Sequence, residues 1–165
     1  MLKLLLPLLA LLSGTALADT RIPDTRVSYK VSRAGSVNAG MVFIDEQYSA
    51  SGQTYLAVKC QAGQPQVSLY SQQPLAQTAQ PTDIALSWDG GEVYLAAGHV
   101  RRDRQRGTLS VWDAERGASS GLLGVLTGTR RSVSLTVFRP GYSQLTYNFP
   151  VEGFLQGMQA VHFCR

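Results

Sequence analysis

The sequence contains a serine motif that could support covalent catalysis. Residues 117–121 read Gly-Ala-Ser-Ser-Gly, which matches the G-x-S-x-G nucleophile elbow of hydrolases with Ser119 as the nucleophile. Glu152 and His162 follow in the order acid, then base, that such a triad requires. The elbow needs a parallel sheet with crossover helices, and the rest of the chain does not alternate strand and helix patterns. We therefore predict a non-catalytic protein, with a serine hydrolase using Ser119 as the alternative.

A second group of residues could bind anions. Residues 101–106 read Arg-Arg-Asp-Arg-Gln-Arg and lie between strand-like segments around Val93 and Leu109, so they should form a hairpin tip or loop. Guanidinium groups can bind phosphate or carboxylate through two hydrogen bonds at once. The alternative is a solvated turn whose charges prevent a strand edge from pairing. The functional interpretation predicts an anion-binding patch made of Arg101, Arg102, Arg104 and Arg106.

The identity of the anion is left open by the sequence. Arg130 and Arg131 would join the patch if the fold brought both loops to one end. Aromatic residues are not interleaved with these arginines, so nothing indicates specific binding of nucleic acid. The expected partner is another envelope protein or an anionic polymer.

The two cysteines of the chain, Cys60 and Cys164, predict a structural disulfide. A metal site would need further ligands nearby, and His99 and His162 are isolated in the sequence. A redox pair would have the Cys-x-x-Cys spacing. Neither a phosphate-binding loop nor a dinucleotide fingerprint occurs, so we predict no metal and no cofactor.

The N-terminal residues predict export. Residues 1–18 combine Lys3, an apolar run at 4–12 and a small-x-small ending, which are the features of a cleavable signal peptide. The apolar run is too short to span a bilayer, which takes about 20 residues. We expect a periplasmic or envelope location, no membrane span after cleavage, and one domain over residues 19–165. The net charge of +4, one unit of it from Lys3, permits contact with anionic polymers.

The remaining pattern predicts a mainly β fold: an antiparallel β-sandwich, or an open barrel, with a short C-terminal helix held by the disulfide. Apolar residues alternate with polar ones in short segments separated by turns, which indicates about eight or nine strands. Helix-like spacing occurs at 122–126 and again at Phe154, Met158 and Val161. Trp112 is out of register with its strand, which leaves open an exposed position for it.

Three short motifs resemble a known group of proteins. They are the strand at 56–60 that ends in Cys60, the strand at 66–70, and Phe149-x-x-x-Gly153-Phe154 followed by the last cysteine. Together they resemble small exported bacterial β-sandwich proteins of the invasion-associated locus B type and of the TagO type, which accompanies type VI secretion systems. The resemblance implies an envelope accessory protein and supplies no catalytic residues. The predicted function is a binding or accessory module, with a purely structural envelope component as a further alternative.

Overall fold

The computed structural model describes residues 19–34, 37–89 and 91–164, so the predicted signal peptide lies outside the described residues. Its strands and helices follow the chain in this order: β1 (Thr20–Arg21), β2 (Val27–Lys30), β3 (Arg33–Ala34), β4 (Val37–Asn38), β5 (Met41–Asp45), β6 (Tyr55–Gln61), β7 (Gln64–Tyr70), β8 (Gln80–Pro81), β9 (Ile84–Trp88), β10 (Glu92–Ala96), β11 (Gly98–Arg101), β12 (Val111–Ala114), α1 (Arg116–Gly128), β13 (Ser132–Val137), β14 (Leu145–Pro150) and α2 (Phe154–Ala160).

The described strands form two main antiparallel sheets, which confirms the predicted mainly β fold. The larger sheet has eight strands in the order β1-β2-β5-β6-β7-β12-β11-β8, and the smaller has four in the order β10-β9-β13-β14. A separate two-stranded ribbon joins β3 and β4. The eight-stranded sheet ends at β1 and β8 and is not closed into a barrel, so the sandwich alternative is the correct one. In the described part of the chain, neither helix has the length and hydrophobicity of a membrane span.

The core lies between the sheets because alternate residues of each strand point inward. Leu56 and Val58 of β6 belong to the same buried cluster as Leu86 and Leu135 of the smaller sheet, and all four are fully buried. Helix α2 covers the part of the larger sheet around β2 and β5. Its Gly157 lets the helix approach closely, since a Cβ there would lie 2.9 Å from Val42 Cγ1.

The predicted disulfide is confirmed. Cys60, at the end of β6, is bonded to Cys164, with 5.3 Å between the Cα atoms and a sequence separation of 104 residues. The bond follows α2 directly, so it fixes the C-terminal segment to the larger sheet. Such a closure restricts the unfolded chain and contributes up to about 5 kcal/mol in the entropic model.

Helix α1 is longer than its sequence predicts. It begins at Arg116, so it includes residues 117–121 of the serine motif as well as the helix-like spacing at 122–126. Four glycines lower its intrinsic helix propensity, so burial of Leu122 and Leu126 must stabilise it. The helix runs along β10, and Gly121 leaves room for the Tyr94 ring, whose hydroxyl would lie 2.1 Å from a Cβ at position 121.

Trp112 is buried, and the alternative of an exposed tryptophan is wrong. Its Nε1 donates a hydrogen bond to the Thr82 carbonyl over 2.7 Å. The ring lies against Gly98 of the neighbouring strand, where a Cβ would come within 2.3 Å of the indole. All residues of β12 are buried, so the alternation that would identify the inner face is absent from this strand.

Candidate anion-binding cleft

The outer face of the eight-stranded sheet carries aligned rows of side chains. The register places Asp45, Tyr55, Tyr70, Val111 and Arg101 opposite one another across five neighbouring strands. The positions next to them in sequence include the core residues of the same strands, so these side chains lie on the face opposite the core. A second row, two residues along, consists of Phe43, Ala57, Ser68, Asp113 and His99.

Three aromatic side chains form a cluster on this face. The Tyr55 and Tyr70 rings are stacked, with 4.7 Å between centroids and 9° between planes. This separation equals the spacing of adjacent strands, so the two rings stand side by side and cover each other. The edge of Phe43 meets Tyr55 with a centroid distance of 5.8 Å. The cluster therefore forms an apolar floor rather than a set of open stacking platforms.

The predicted arginine loop folds over this floor, and a buried carboxylate fixes its first arginine. Arg101 donates hydrogen bonds from Nε and Nη2 to Asp113, which is buried and also accepts one from the Ser68 hydroxyl over 2.6 Å. Burial opposes the charged form of Arg101, but its hydrogen bonds to Asp113 and Tyr70 outweigh that effect and raise its pKa. The guanidinium is thus permanently charged and held in one position.

The other end of the loop is fixed by Arg106. Its Nη1 and Nη2 donate to the carbonyls of Ser71 and Gly52 over 2.7 and 3.2 Å. Its Nε lies 3.8 Å from a carboxylate oxygen of Asp103, which also accepts a hydrogen bond from the Gln105 amide. These contacts give the loop a defined shape without using all of its positive charge.

The two remaining arginines are less constrained. Arg102 donates a hydrogen bond to the Gly107 carbonyl. Arg104 is exposed and, among the residues that the structure describes, has no hydrogen-bond or ion-pair partner. Lys59 is half-buried on β6, and its side chain has no hydrogen-bond or ion-pair partner among the described residues. Arg104 and Lys59 are therefore the two cations of the lining whose side chains have no partner within the described part of the chain.

Loop and floor enclose a cleft of about 560 Å³. Five cationic side chains and one carboxylate line it, and a second carboxylate, Asp113, pairs with Arg101, so the cleft keeps an excess of positive charge. Burial raises the pKa of Tyr55 to about 12, with a further increase from Tyr70 and an opposing effect from Arg106. The Tyr55 phenol thus keeps its proton at any physiological pH. The lining residues are Met41, Phe43, Gly52, Tyr55, Ala57, Lys59, Ser68, Tyr70 and the loop 101–106.

The second arginine pair does not join this cleft. Arg130 and Arg131 line a different pocket, together with Trp88 and Glu92. Arg131 flanks one end of the β13–β14 hairpin, where its carbonyl accepts a hydrogen bond from Val151. Arg130 and Arg131 therefore do not extend the predicted patch, because they do not line the same cleft as residues 101–106.

The serine motif has no triad geometry. Ser119 is 1% exposed, and its hydroxyl accepts a hydrogen bond from the Val67 amide over 3.3 Å. Glu152 lies in the exposed turn before α2, and His162 follows that helix. Within the described residues, no hydrogen bond joins Ser119 to either of them. The serine lies in the first turns of α1 beside an antiparallel sheet, where its hydroxyl contributes to packing of the helix on β7.

The chain was compared with protein-family models, curated proteins and solved structures, and none of them matches it. The resemblance to invasion-associated locus B and TagO-like proteins stays a prediction and transfers no residue to the cleft. Among the described residues, no group of three or more histidine, cysteine, aspartate and glutamate side chains is arranged to hold a metal ion.

The aromatic floor is the part of the cleft that the sequence interpretation missed. Tyr55 and Tyr70 stand next to the inward residues Leu56 and Leu69, so alternation already placed them on the outer face. What alternation could not provide was the pairing of β6 with β7, which brings the two rings together and sets them beside the loop.

Proposed function

We propose that this protein is an exported, non-catalytic binding module of the cell envelope that holds an anionic polymer in the cleft beneath residues 101–106. The observation that carries the proposal is the concentration of charge: five cations surround one carboxylate on a floor of aromatic rings. A polymer with spaced negative groups can contact several of these cations at once, which adds affinity without requiring a deep pocket.

The fixed arginines support this function because they reduce the cost of binding. Arg101 and Arg106 are already held by Asp113, Ser71 and Gly52, so little side-chain freedom is lost when an anion arrives. Arg104 and Lys59 supply charges without internal partners. The protonated Tyr55 hydroxyl adds a hydrogen-bond donor at the floor.

Two observations support export. Disulfides persist in oxidising compartments, and the Cys60–Cys164 bond is the kind of closure found there. Residues 1–18 have the composition of a cleavable signal peptide. Labelling thiols in the protein taken from cell fractions tests this part: the cysteines should be blocked by the disulfide in the exported fraction.

The binding proposal is tested by calorimetric titration with heparin at low salt. Arg104→Ala should weaken binding about fivefold, the value of one exposed charge contact of about 1 kcal/mol. Arg131→Ala, which removes an exposed arginine from the separate pocket, should leave the affinity unchanged. Binding should also weaken as the salt concentration rises. Undetectable binding, or equal losses in both variants, would overturn the proposal.

A further inference from the structure

The basic cleft continues into a second groove on the same sheet face. This groove has a volume of about 480 Å³ and shares Met41, Phe43, Gly52 and Tyr55 with the first. It extends to Arg21 on β1, whereas the first groove reaches Arg101 on β11. Six strand-to-strand steps separate β1 from β11 in this sheet, which corresponds to about 29 Å at about 4.8 Å per step.

The two ends of this path differ in charge. Arg21 and Lys30 line the second groove together with Asp19 and Asp45, so its formal charges cancel. Arg21 Nη1 also lies 3.1 Å from Asp45 Oδ2, which neutralises it directly. The lining of the first groove, in contrast, has four more positive than negative side chains, and an excess of three remains when Asp113, the partner of Arg101, is counted. A ligand that follows the whole path therefore gains from a negative group beneath the arginine loop and gains nothing from further charge over the second groove.

The uncharged end has the chemistry of a sugar-binding surface. The Ser28 and Ser51 hydroxyls line it beside the apolar side chains of Met41 and Phe43. Sugar rings present the same combination, with hydroxyl groups around apolar C–H faces. Nucleic acid fits less well, because it is charged along its whole length and its bases need open aromatic faces, whereas Tyr55 and Tyr70 cover each other.

We propose that the two grooves form one directional cleft for an acidic polysaccharide, with an acidic residue beneath the arginine loop and uncharged sugar rings over Phe43 and Met41. This inference rests on the proposed function, since it specifies the polymer that the same site holds. The difference in charge determines the direction, because the first groove attracts an acidic residue and the second, whose charges cancel, does not.

Hyaluronan oligosaccharides test this proposal, because they alternate acidic and uncharged sugars. Calorimetric titration should show an octasaccharide binding about tenfold more tightly than a tetrasaccharide, as the longer chain fills both grooves. Phe43→Ala should remove most of this gain and, since Phe43 also belongs to the floor of the first groove, should weaken tetrasaccharide binding as well. Arg104→Ala should weaken both oligosaccharides about fivefold.

A second variant guards against a general effect of Phe43 on the aromatic cluster. Ser28→Trp would fill the uncharged groove from β2, and Thr136→Trp would place the same ring on the outer face of the smaller sheet. The first variant should abolish the length dependence, and the second should retain it. Circular dichroism of each variant establishes that the fold is intact.

The outcomes separate the two proposals. Absence of tetrasaccharide and heparin binding would overturn the proposed function. Tetrasaccharide binding with no gain for the octasaccharide would overturn only the directional cleft. Single-stranded DNA or poly-glutamate of matched charge that bound more tightly than the octasaccharide, with no effect of Ser28→Trp, would overturn the polysaccharide assignment.

Discussion

The two sheets of this sandwich have outer faces of very different chemistry. On the smaller sheet, one outward row contains Val93, Ser87, Ser134 and Asn148, and the next contains Leu95, Ala85, Thr136 and Thr146. These rows carry no ionisable side chain. The corresponding rows of the larger sheet carry Asp45, Arg101 and Asp113 among stacked aromatic rings, and a loop of arginines closes over them.

The difference shows that the polar positions of an alternating strand are not equivalent. On the smaller sheet they are filled by small uncharged groups, such as the Thr136 and Thr146 hydroxyls that lie 3.0 Å apart in an exposed pair. On the larger sheet, Asp113 is buried outside the core and has three hydrogen bonds. A buried charge costs free energy unless it is paired, so the hydrogen bonds of Asp113 to Ser68 and Arg101 are what make its burial on this face tolerable.

The largest expected effect comes from breaking the charged face. Asp113→Ala should lower the free energy of unfolding by about 2 kcal/mol, because it leaves Arg101 and the buried Ser68 hydroxyl without their acceptor. Thr136→Ala on the other sheet should cost about 0.5 kcal/mol or less. Urea denaturation with a constant slope measures both values. Equal losses would mean that the two faces do not differ as described.

An intermediate effect is expected from high pH. The pKa of Tyr55 is about 12 in the folded protein against an ordinary 10.0, so the unfolded chain releases this proton first. The raised pKa of Tyr55 contributes its full stabilisation of the fold below pH 10. As the pH rises toward 12, the free energy of unfolding should fall by about 1 kcal/mol, after allowance for the partial exposure of Tyr55. Tyr55→Phe should reduce this loss.

The parent protein and the Tyr55→Phe variant must be compared directly, because burial also raises the pKa of Tyr147 on the inner side of the sandwich. That contribution is present in both the parent protein and the Tyr55→Phe variant, so it cancels in the difference. Identical stability profiles from pH 9 to pH 12 would contradict the role assigned to Tyr55.

The smallest effect is expected on the uncharged face. Leu95 is 67% exposed, so Leu95→Thr should change the free energy of unfolding by about 0.5 kcal/mol or less. Heparin affinity should stay the same, because the residue lies on the opposite side of the sandwich. A loss of stability that depends on protein concentration would show instead that a second copy covers this face.

Much of the fold could be predicted from local patterns. Local patterns predicted strands at 56–60 and 66–70, which lie within β6 and β7, and the spacing of Phe154, Met158 and Val161 predicted α2. Both patterns are local in the sequence, because each one reflects how a single strand or helix contacts the core. Helix α1 was underestimated because its glycines disfavour a helix, and its stability comes from contacts with β7 and β10 that are distant in sequence.

The candidate cleft could be predicted only in part. The arginines at 101–106 were identifiable from their density, but the partners of Arg101 and Arg106 come from β12 and from segments up to 54 residues away. Similarly, Tyr55 and Tyr70 meet only through the pairing of β6 with β7. Such contacts depend on strand order and register, which a pattern within one strand does not contain.

The cysteine content also limits how the chain can be oxidised. With two cysteines in the sequence, a single monomer permits only one connectivity, even though 104 residues separate the partners. No scrambled isomer can therefore compete with the native bond, and the available side product is a disulfide between two molecules. Oxidation of the reduced protein at high dilution should thus yield one monomeric species.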